Sequence, residues 1–209
     1  MDKKLERILP LVQKPARYTG GEYGEIQKDK SEVDLRMALC FPDTYEIGMS
    51  NIGMRILYGL MNELPGVWCE RVFAPWGDME EKMREHAIPL YALESHDPVR
   101  AFDLIAFTIG YEMSYTNLLN MLDLSGVPLL ARERKELGNI VFAGGVCAVN
   151  PEPLADFIDF FSFGEGEEIT KEILACYRQA KKDGCSKEEF LLRVSRIDGV
   201  YVPSFYEHS

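Results

Sequence analysis

The sequence predicts an α/β fold in which helices cover both faces of a doubly wound, mainly parallel, five-stranded sheet. Short apolar segments alternate with amphipathic segments about five times along the chain, which is the pattern of repeated strand–helix units. Residues 103–110 (DLIAFTIG) are almost continuously apolar, as strands buried on both faces are. Two further apolar segments, 140–143 and 157–163, end in glycine turns, as strands beside a ligand crevice do.

The first half of the chain carries two predicted strands, at 35–41 and 67–73, and two predicted helices, at 49–64 and 78–86. Pro42 ends the first strand because proline has no backbone N–H for the ladder. Apolar residues in 49–64 recur at the period of a helix, which Ser50 or Asn51 can cap. Pro65 and Gly66 then stop it. Residues 67–73 alternate in polarity, and 90–93 predict a minor strand.

The second half carries the remaining strands, at 103–110, 140–145 and 157–164, and helices at 114–124, 165–182 and 186–196. Gly126 and Pro128 stop the helix at 114–124. The helix at 165–182 has acidic residues in its first turn and lysines in its last, as the helix dipole favours. Ser186 is a good N-cap for the last helix.

These elements divide the chain into three parts. Residues 1–33 form an arm without a core of its own, which lies on the domain or reaches a neighbour. Residues 34–183 form the α/β domain. Residues 184–209 form a C-terminal helix followed by an extended aromatic linker.

Composition excludes several classes of function. A net charge of -11 over 209 residues disfavours direct binding to nucleic acid or to anionic lipid, since both need a positive field. No apolar stretch approaches the ~20 residues that span a bilayer, and the N-terminus lacks the apolar core of a secretory signal, so a cytoplasmic location is expected. The five cysteines have no metal-binding spacing.

The strongest functional signal lies where the predicted strands end. In doubly wound sheets, ligands bind outside the carboxyl ends of the strands. The loops at 42–51, 108–117, 144–151 and 164–168 supply glycines, hydroxyls, amides, aromatics and carboxylates, and contain no Lys, Arg or His. We therefore expect a crevice for a large planar cofactor there. Its candidate residues are Asp43, Thr44, Tyr45, Gly48, Thr108, Gly110, Tyr111, Gly144, Gly145, Asn150, Gly164, Glu165 and Gly166.

The same loops argue against familiar alternatives. No cation and no G-x-G-x-x-G turn follows the first strand, so a Rossmann nucleotide site is disfavoured. A flavodoxin-like FMN site stays open, because Thr44, Ser50 and Asn51 lie where a phosphate loop would be. No histidine pairs with a nucleophile, and Cys147 lacks a basic neighbour to lower its pKa. We assign no catalytic residue and no metal ligand.

Three segments resemble the N-terminal, cobalamin-binding-like domain of a group of radical SAM proteins. They are residues 41–53 (FPDTYEIGMSNIG), residues 111–128 (YEMSYTNLLNMLDLSGVP) and the pattern Gly-Gly…Asn-Pro-Glu-Pro…Asp…Gly-Glu-Gly-Glu within 144–168. The resemblance implies a flavodoxin-like fold that precedes a radical SAM barrel in the same protein. The barrel's CxxxCxxC motif, which binds a [4Fe–4S] cluster that cleaves S-adenosylmethionine, does not occur in this sequence. The implied parent is an enzyme; this chain alone is not expected to be catalytic.

The resemblance also bears on cobalamin. Related cobalamin domains have Asp-x-His-x-x-Gly after the first strand, and here Asp43-Thr-Tyr-Glu-Ile-Gly48 has Tyr45 in place of the histidine. Some cobalamin-dependent radical SAM enzymes also lack this histidine, so the resemblance permits cobalamin without protein ligation. It would place Thr108 and Gly110 along the buried nucleotide tail and Gly144 and Gly145 near its base. The alternative is a scaffold or partner-docking domain that has lost the cofactor; the substrate, whether RNA, lipid or small molecule, stays open.

Overall fold

The computed structural model of the protein describes residues 3–206. Seven helices and six strands follow one another in the order α1 (Lys3–Ile8), β1 (Leu35–Phe41), α2 (Tyr45–Ser50), α3 (Ile52–Glu63), β2 (Val67–Phe73), α4 (Gly77–Glu85), β3 (Leu104–Thr108), α5 (Tyr115–Ser125), β4 (Ile140–Gly144), β5 (Phe160–Ser162), α6 (Gly166–Asp183), α7 (Lys187–Val194) and β6 (Val200–Tyr201). None of these helices is long and apolar enough to cross a membrane.

The strands form one sheet in the order β2-β1-β3-β4-β5-β6. The first five are parallel, and β6 runs antiparallel to β5. The predicted α/β fold with a mainly parallel sheet is confirmed, with six strands rather than five. Because β1 and β3 are neighbours while β2 lies outside them, the direction of winding reverses after β2, and the carboxyl ends of β1, β3, β4 and β5 share one edge.

Apolar side chains fill a core on each face of the sheet. One face packs against α1, α4 and α5, and the other against α3, α6 and α7. The link from β4 to β5 differs from the others: it has two short 3₁₀ helices, Val146–Val149 and Glu152–Leu154, where an α-helix would complete the alternation. The sequence pattern did not predict this interruption.

Two further expectations need correction. The helix predicted at 49–64 is two helices, because Asn51 is extended and its side chain caps α3 by accepting a hydrogen bond from the Met54 N–H at 2.9 Å. The shorter helix, α2, occupies most of the stretch assigned to a loop. The minor strand at 90–93 is only an isolated bridge between Tyr91 and Pro98.

The N-terminal arm lies on the domain. Leu5, Ile8, Leu9, Val12 and Tyr18 are buried in the core on the α4–α5 face. At the other terminus, α7 contributes to the opposite core, and β6 extends the sheet. The division into segments ending at residues 33 and 183 stays a prediction.

The outer side of β2, at the edge of the sheet, is closed by hydrogen bonds from outside the sheet. The Asn62 side chain forms hydrogen bonds with both backbone groups of Cys69. Its Oδ1 accepts from the Cys69 N–H at 3.0 Å, and its Nδ2 donates to the Cys69 carbonyl at 2.9 Å. Lys28 Nζ donates to the Val67 carbonyl. The Arg71 N–H donates to Glu94 Oε2 at 2.7 Å, and the Arg71 carbonyl accepts from the Leu93 N–H at 2.9 Å. An edge strand usually exposes unpaired backbone groups to which another strand can bind, and these hydrogen bonds occupy such groups on β2.

Candidate functional site

The ends of β3 and β4 approach each other closely at the carboxyl edge. Thr108 pairs with Gly144, and the Ile109 N–H donates to the Gly144 carbonyl at 2.7 Å. Gly145 follows with φ +105°, and a Cβ there would lie 2.6 Å from the Ile109 carbonyl oxygen. Glycine is required at this position by both backbone conformation and contact. The requirement comes from the neighbouring strand and would exist without any ligand.

A cavity of about 170 Å³ opens beside this junction, on the face covered by α3 and α6. Side chains of β1, β3 and β4 line it together with residues near the N-terminal ends of the two helices. The lining residues are Met37, Leu39, Gly53, Leu57, Ala106, Phe107, Thr108, Phe142, Gly144, Gly145, Ser162, Gly164, Gly166, Glu167 and Thr170. Five of the thirteen predicted residues are among them: Thr108, Gly144, Gly145, Gly164 and Gly166.

At two points in the cavity wall, close packing against a neighbouring side chain favours glycine. A Cβ at Gly144 would lie 2.8 Å from Ser162 Oγ, and one at Gly166 would lie 3.3 Å from Leu57 Cδ2. The floor is apolar, and the polar groups are the hydroxyls of Thr108, Ser162 and Thr170 and the carboxylate of Glu167. Such a space suits a flat, uncharged or weakly cationic group better than a phosphate.

The predicted residues after β1 lie outside the cavity. Tyr45 packs edge-to-face on Phe73 with ring centroids 5.5 Å apart, and its hydroxyl donates to Glu22 of the arm at 2.6 Å. Burial, with Glu22 adding to it, raises the pKa of Tyr45 to about 12. Gly48 packs under the Phe73 ring, where a Cβ would lie 2.2 Å from Cε1. These residues hold the arm and α2 in place.

The rest of the predicted set is on the rim. The Tyr111 hydroxyl donates to the Asp43 carboxylate, which raises the pKa of Tyr111 and ties the loop after β3 to the loop after β1. Thr44 begins α2 beside them. Gly110, Asn150 and Glu165 are exposed. Neither Tyr45 nor Tyr111 lines the cavity, so neither blocks it.

Sequence reasoning missed the residues that the helices bring to the cavity. Leu57 reads as an ordinary core position of α3, and Glu167 as a solvated residue in the first turn of α6. Thr170 carried a usable signal, since it is a polar residue on the buried side of α6. Gly53 carried another, because glycine in the first turn of a helix leaves space where a side chain would stand.

Two larger cavities lie elsewhere. One of about 380 Å³ separates the arm from α3 and is lined by Tyr23, Tyr58 and Arg71 among others. The other, about 530 Å³, lies at the opposite edge of the sheet, near the amino ends of β4 and β5. At its base Arg134 and Lys187 contact Asp159, with Lys187 Nζ 2.5 Å from Asp159 Oδ1 and Arg134 Nη2 3.1 Å from Oδ2.

No group in the described residues has the features of an activated nucleophile or a metal centre. Burial, with Glu112 adding to it, raises the pKa of Cys147, which disfavours a thiolate. His96 has a lowered pKa because it is half-buried, and it contacts the Thr19 carbonyl away from the cavity. Residues 3–206 contain no cluster of three or more histidine, cysteine or acidic side chains suited to a metal ion.

Comparison with known proteins identifies related sequences. Residues 53–203, more than half of the chain, match the family described as radical SAM proteins, N-terminal. An uncharacterized protein of Methanocaldococcus jannaschii is 28% identical over 142 residues, which is 66% of this chain and 26% of that protein. The matched region therefore spans about a quarter of this relative's length.

Proposed function

Because the chain belongs to the family of N-terminal domains of radical SAM proteins, we propose that it is the cofactor-binding module of such an enzyme. Membership implies a radical SAM domain downstream in the full protein. The proposal adds that the carboxyl-edge cavity receives part of a cobalamin, bound without a protein ligand to cobalt. The [4Fe–4S] cluster and S-adenosylmethionine would belong to the downstream domain.

The position of the cavity is the observation that carries the proposal. The parallel strands have the order 2-1-3-4-5, the order of flavodoxin-like folds, in which ligands sit outside the carboxyl ends of the strands. The cavity lies there, and Gly144, Gly145, Gly164 and Gly166 leave its walls without side chains. At about 170 Å³ it is smaller than the ~300 Å³ that encloses a whole drug-sized ligand. It would hold one arm of a large cofactor while the bulk lies on the open rim.

The residues of this chain fit a cobalamin held by shape rather than by ligation. Tyr45 takes the place of the usual histidine in the motif, but its hydroxyl is engaged with Glu22, and its raised pKa keeps it protonated. A neutral phenol held in this way is a poor metal ligand. When bound, the cofactor would supply a transferable methyl group. The chain's own residues would position it: the apolar floor excludes water, and Thr108, Ser162 and Thr170 offer hydrogen bonds at the cavity wall.

The test is retention of hydroxocobalamin. We expect the purified chain, incubated with hydroxocobalamin and desalted, to keep the corrin absorbance with a shifted spectrum. Gly53→Leu would put a side chain at the cavity wall and should weaken retention by about tenfold or more, the loss of about 1.4 kcal/mol. Gly59→Leu is the control on the same helix, because Gly59 has open space around its Cβ and lines the cavity of about 380 Å³ beside the arm rather than this one.

A second candidate is a scaffold that kept the fold without the cofactor, and the small volume of the cavity is the observation that favours it. This candidate predicts a colourless protein after desalting, which would overturn the cobalamin proposal. An FMN module predicts a yellow protein as purified, which would overturn it as well. Equal retention of hydroxocobalamin by the Gly53→Leu and Gly59→Leu variants would mean that the cofactor binds outside this cavity.

A further inference from the structure

Exposed apolar side chains are concentrated at the carboxyl edge of the sheet. Among the described residues, seven of the thirteen large apolar side chains that are strongly exposed lie on α2, on the first two turns of α3, or on the loops after β3 and β4. They are Ile47, Ile52, Ile56, Tyr111, Met113, Val146 and Val149, hereafter the rim patch. Met113 is 84% exposed, Val146 74% and Val149 72%. Single exposed apolar residues are normal, but a contiguous group marks an interaction surface.

Hydrogen bonds connect the segments that follow β1, β3 and β4. Asn117 Nδ2 donates to the Pro42 carbonyl at 3.0 Å, which joins the start of α5 to the loop after β1. The Cys147 N–H donates to the Ile109 carbonyl at 3.2 Å, which joins the loops after β4 and β3. The Tyr115 hydroxyl also reaches the Cys147 carbonyl at 3.4 Å. Since β1, β3 and β4 are adjacent in the sheet, the segments that follow them lie next to one another at its carboxyl edge.

The loops at the carboxyl edge are acidic, and the nearest cation on the chain itself is Arg55, which is exposed on α3 between Ile52 and Ile56. The loops at 42–51, 109–114, 145–151 and 164–168 contain six carboxylates, Asp43, Glu46, Glu112, Glu165, Glu167 and Glu168, and no Lys, Arg or His. Cations from outside these loops reach two of them: Lys14 and Arg17 contact Glu46, and Lys171 contacts Glu168. The rim is therefore apolar with acidic surroundings.

The acidic charge of these loops favours one kind of binding partner for the rim patch over another. A second copy of the chain, packed patch to patch, would bring two acidic rims together, which costs energy through like-charge repulsion. A partner with an apolar centre and lysines or arginines around it would be complementary. The family places a radical SAM domain in the same polypeptide, and most of the relative's length lies outside the matched region.

We infer that the rim patch is the face on which the radical SAM domain of the same protein docks, through an apolar contact ringed by basic residues of that domain. The interface would hold the two domains with the carboxyl-edge cavity at their junction. This inference rests on family membership and on the rim itself, and it does not require that cobalamin binds.

The experiment compares the cobalamin-free full-length protein with the 209-residue chain, both kept anaerobic. We expect zero-length carbodiimide coupling to join Glu112 or Glu165 to lysines of the radical SAM domain in the full-length protein, as mapped by mass spectrometry. Amide hydrogen exchange across 110–115 and 145–150 should be slower in the full-length protein, by about fivefold or more. Mixing isotopically light and heavy protein separates couplings within one molecule from couplings between copies.

Two variants make the test specific. Met113→Arg combined with Val146→Arg removes apolar surface, places positive charge against the basic ring and adds no group that carbodiimide couples, so the fold should persist while the couplings and the protection fall severalfold. Leu192→Arg, at an exposed apolar residue of α7 away from the rim, should change neither. Couplings confined to pairs of copies, unchanged exchange in the full-length protein, or indifference to the double variant would each overturn the inference. Because cobalamin is absent, these outcomes are distinct from those of the hydroxocobalamin test.

Discussion

The two edges of the sheet differ in what surrounds their cavities. The carboxyl edge has the smaller cavity, about 170 Å³, with glycine walls and no cation in the surrounding loops. The amino edge has the larger one, about 530 Å³, lined by Arg132, Arg134, Lys135 and Lys187. By size and charge, the amino edge looks like the better site for an anionic ligand.

The hydrogen bonds at the amino edge lead to a different conclusion. The Arg134 guanidinium donates to Asp159 and to the carbonyls of Pro128, Leu129 and Phe157. The Lys187 ammonium contacts Asp159 and donates to the carbonyls of Ala131 and Arg134. These two buried cations are occupied by the protein itself and stabilise the loops before β4 and β5, whereas Arg132 and Lys135 are exposed. Cavity volume alone is therefore a poor guide to function here, and the free hydrogen-bonding capacity of the lining is more informative.

The largest expected effect tests this structural role of the amino edge. Asp159→Ala would leave Arg134 and Lys187 buried without their counter-charge, and we expect a loss of about 3–5 kcal/mol in the free energy of unfolding, measured with urea. Asp156→Ala, at an exposed carboxylate of the same cavity, should change it by less than about 0.5 kcal/mol. Equal, small effects for both variants would mean that the buried cations are not tied to Asp159 and are available to a ligand.

A second buried cluster of charged side chains, around Arg71, tests whether buried charges also contribute to stability away from the amino edge. Arg71 contacts Glu22, Glu25 and Glu94, and burial raises the pKa of Glu94 to about 7. Between pH ~4.5 and ~7, Glu94 is protonated in the folded protein and ionised in the unfolded chain. Its contribution to the free energy of unfolding is therefore complete below pH ~4.5 and disappears as pH rises through ~7. A shift of this size corresponds to about 3 kcal/mol.

Urea unfolding at a series of pH values measures this contribution. The free energy of unfolding should fall with rising pH across the window, and Glu94→Gln should flatten the slope, although it also lowers stability by disturbing the contact with Arg71. Burial raises the pKa of Glu70 as well, so a residual slope of the same sign is expected. Glu63→Gln, at an exposed position, should keep the wild-type slope. An unchanged slope in Glu94→Gln would show that Glu94 is ionised throughout.

The last prediction compares the stability effects of alanine substitutions in two glycine turns at the carboxyl edge. Gly145 and Gly164 both have φ near +100°, but a Cβ contacts backbone only at Gly145. We expect Gly145→Ala to cost about 3 kcal/mol and Gly164→Ala about 1 kcal/mol in the free energy of unfolding. If Gly164→Ala instead weakens hydroxocobalamin retention at normal stability, Gly164 is required by the ligand. Equal losses of stability would remove the distinction between the two turns.

The sequence was most informative where structure is set by neighbouring residues. The strand positions follow from apolar runs, the cap at Asn51 from its side chain, and the glycine turns from their place after strands. The sequence did not reveal that Tyr45 turns away from the cavity, because its partner, Glu22, lies in the arm. The volume of the cavity depends on how closely α3 and α6 approach, which no local pattern encodes. The pairing of Asp159 with Lys187 likewise joins residues from separate elements.

The capped edge of β2 limits how this molecule can assemble. Asn62, Lys28, Glu94 and Leu93 already use the outward-facing backbone groups of Val67, Cys69 and Arg71. A strand from another protein arriving on that side would find no free amide or carbonyl at those positions to pair with. Strand addition is thus disfavoured at the β2 border of the sheet, where a neighbouring protein would have to be recognised through side chains instead.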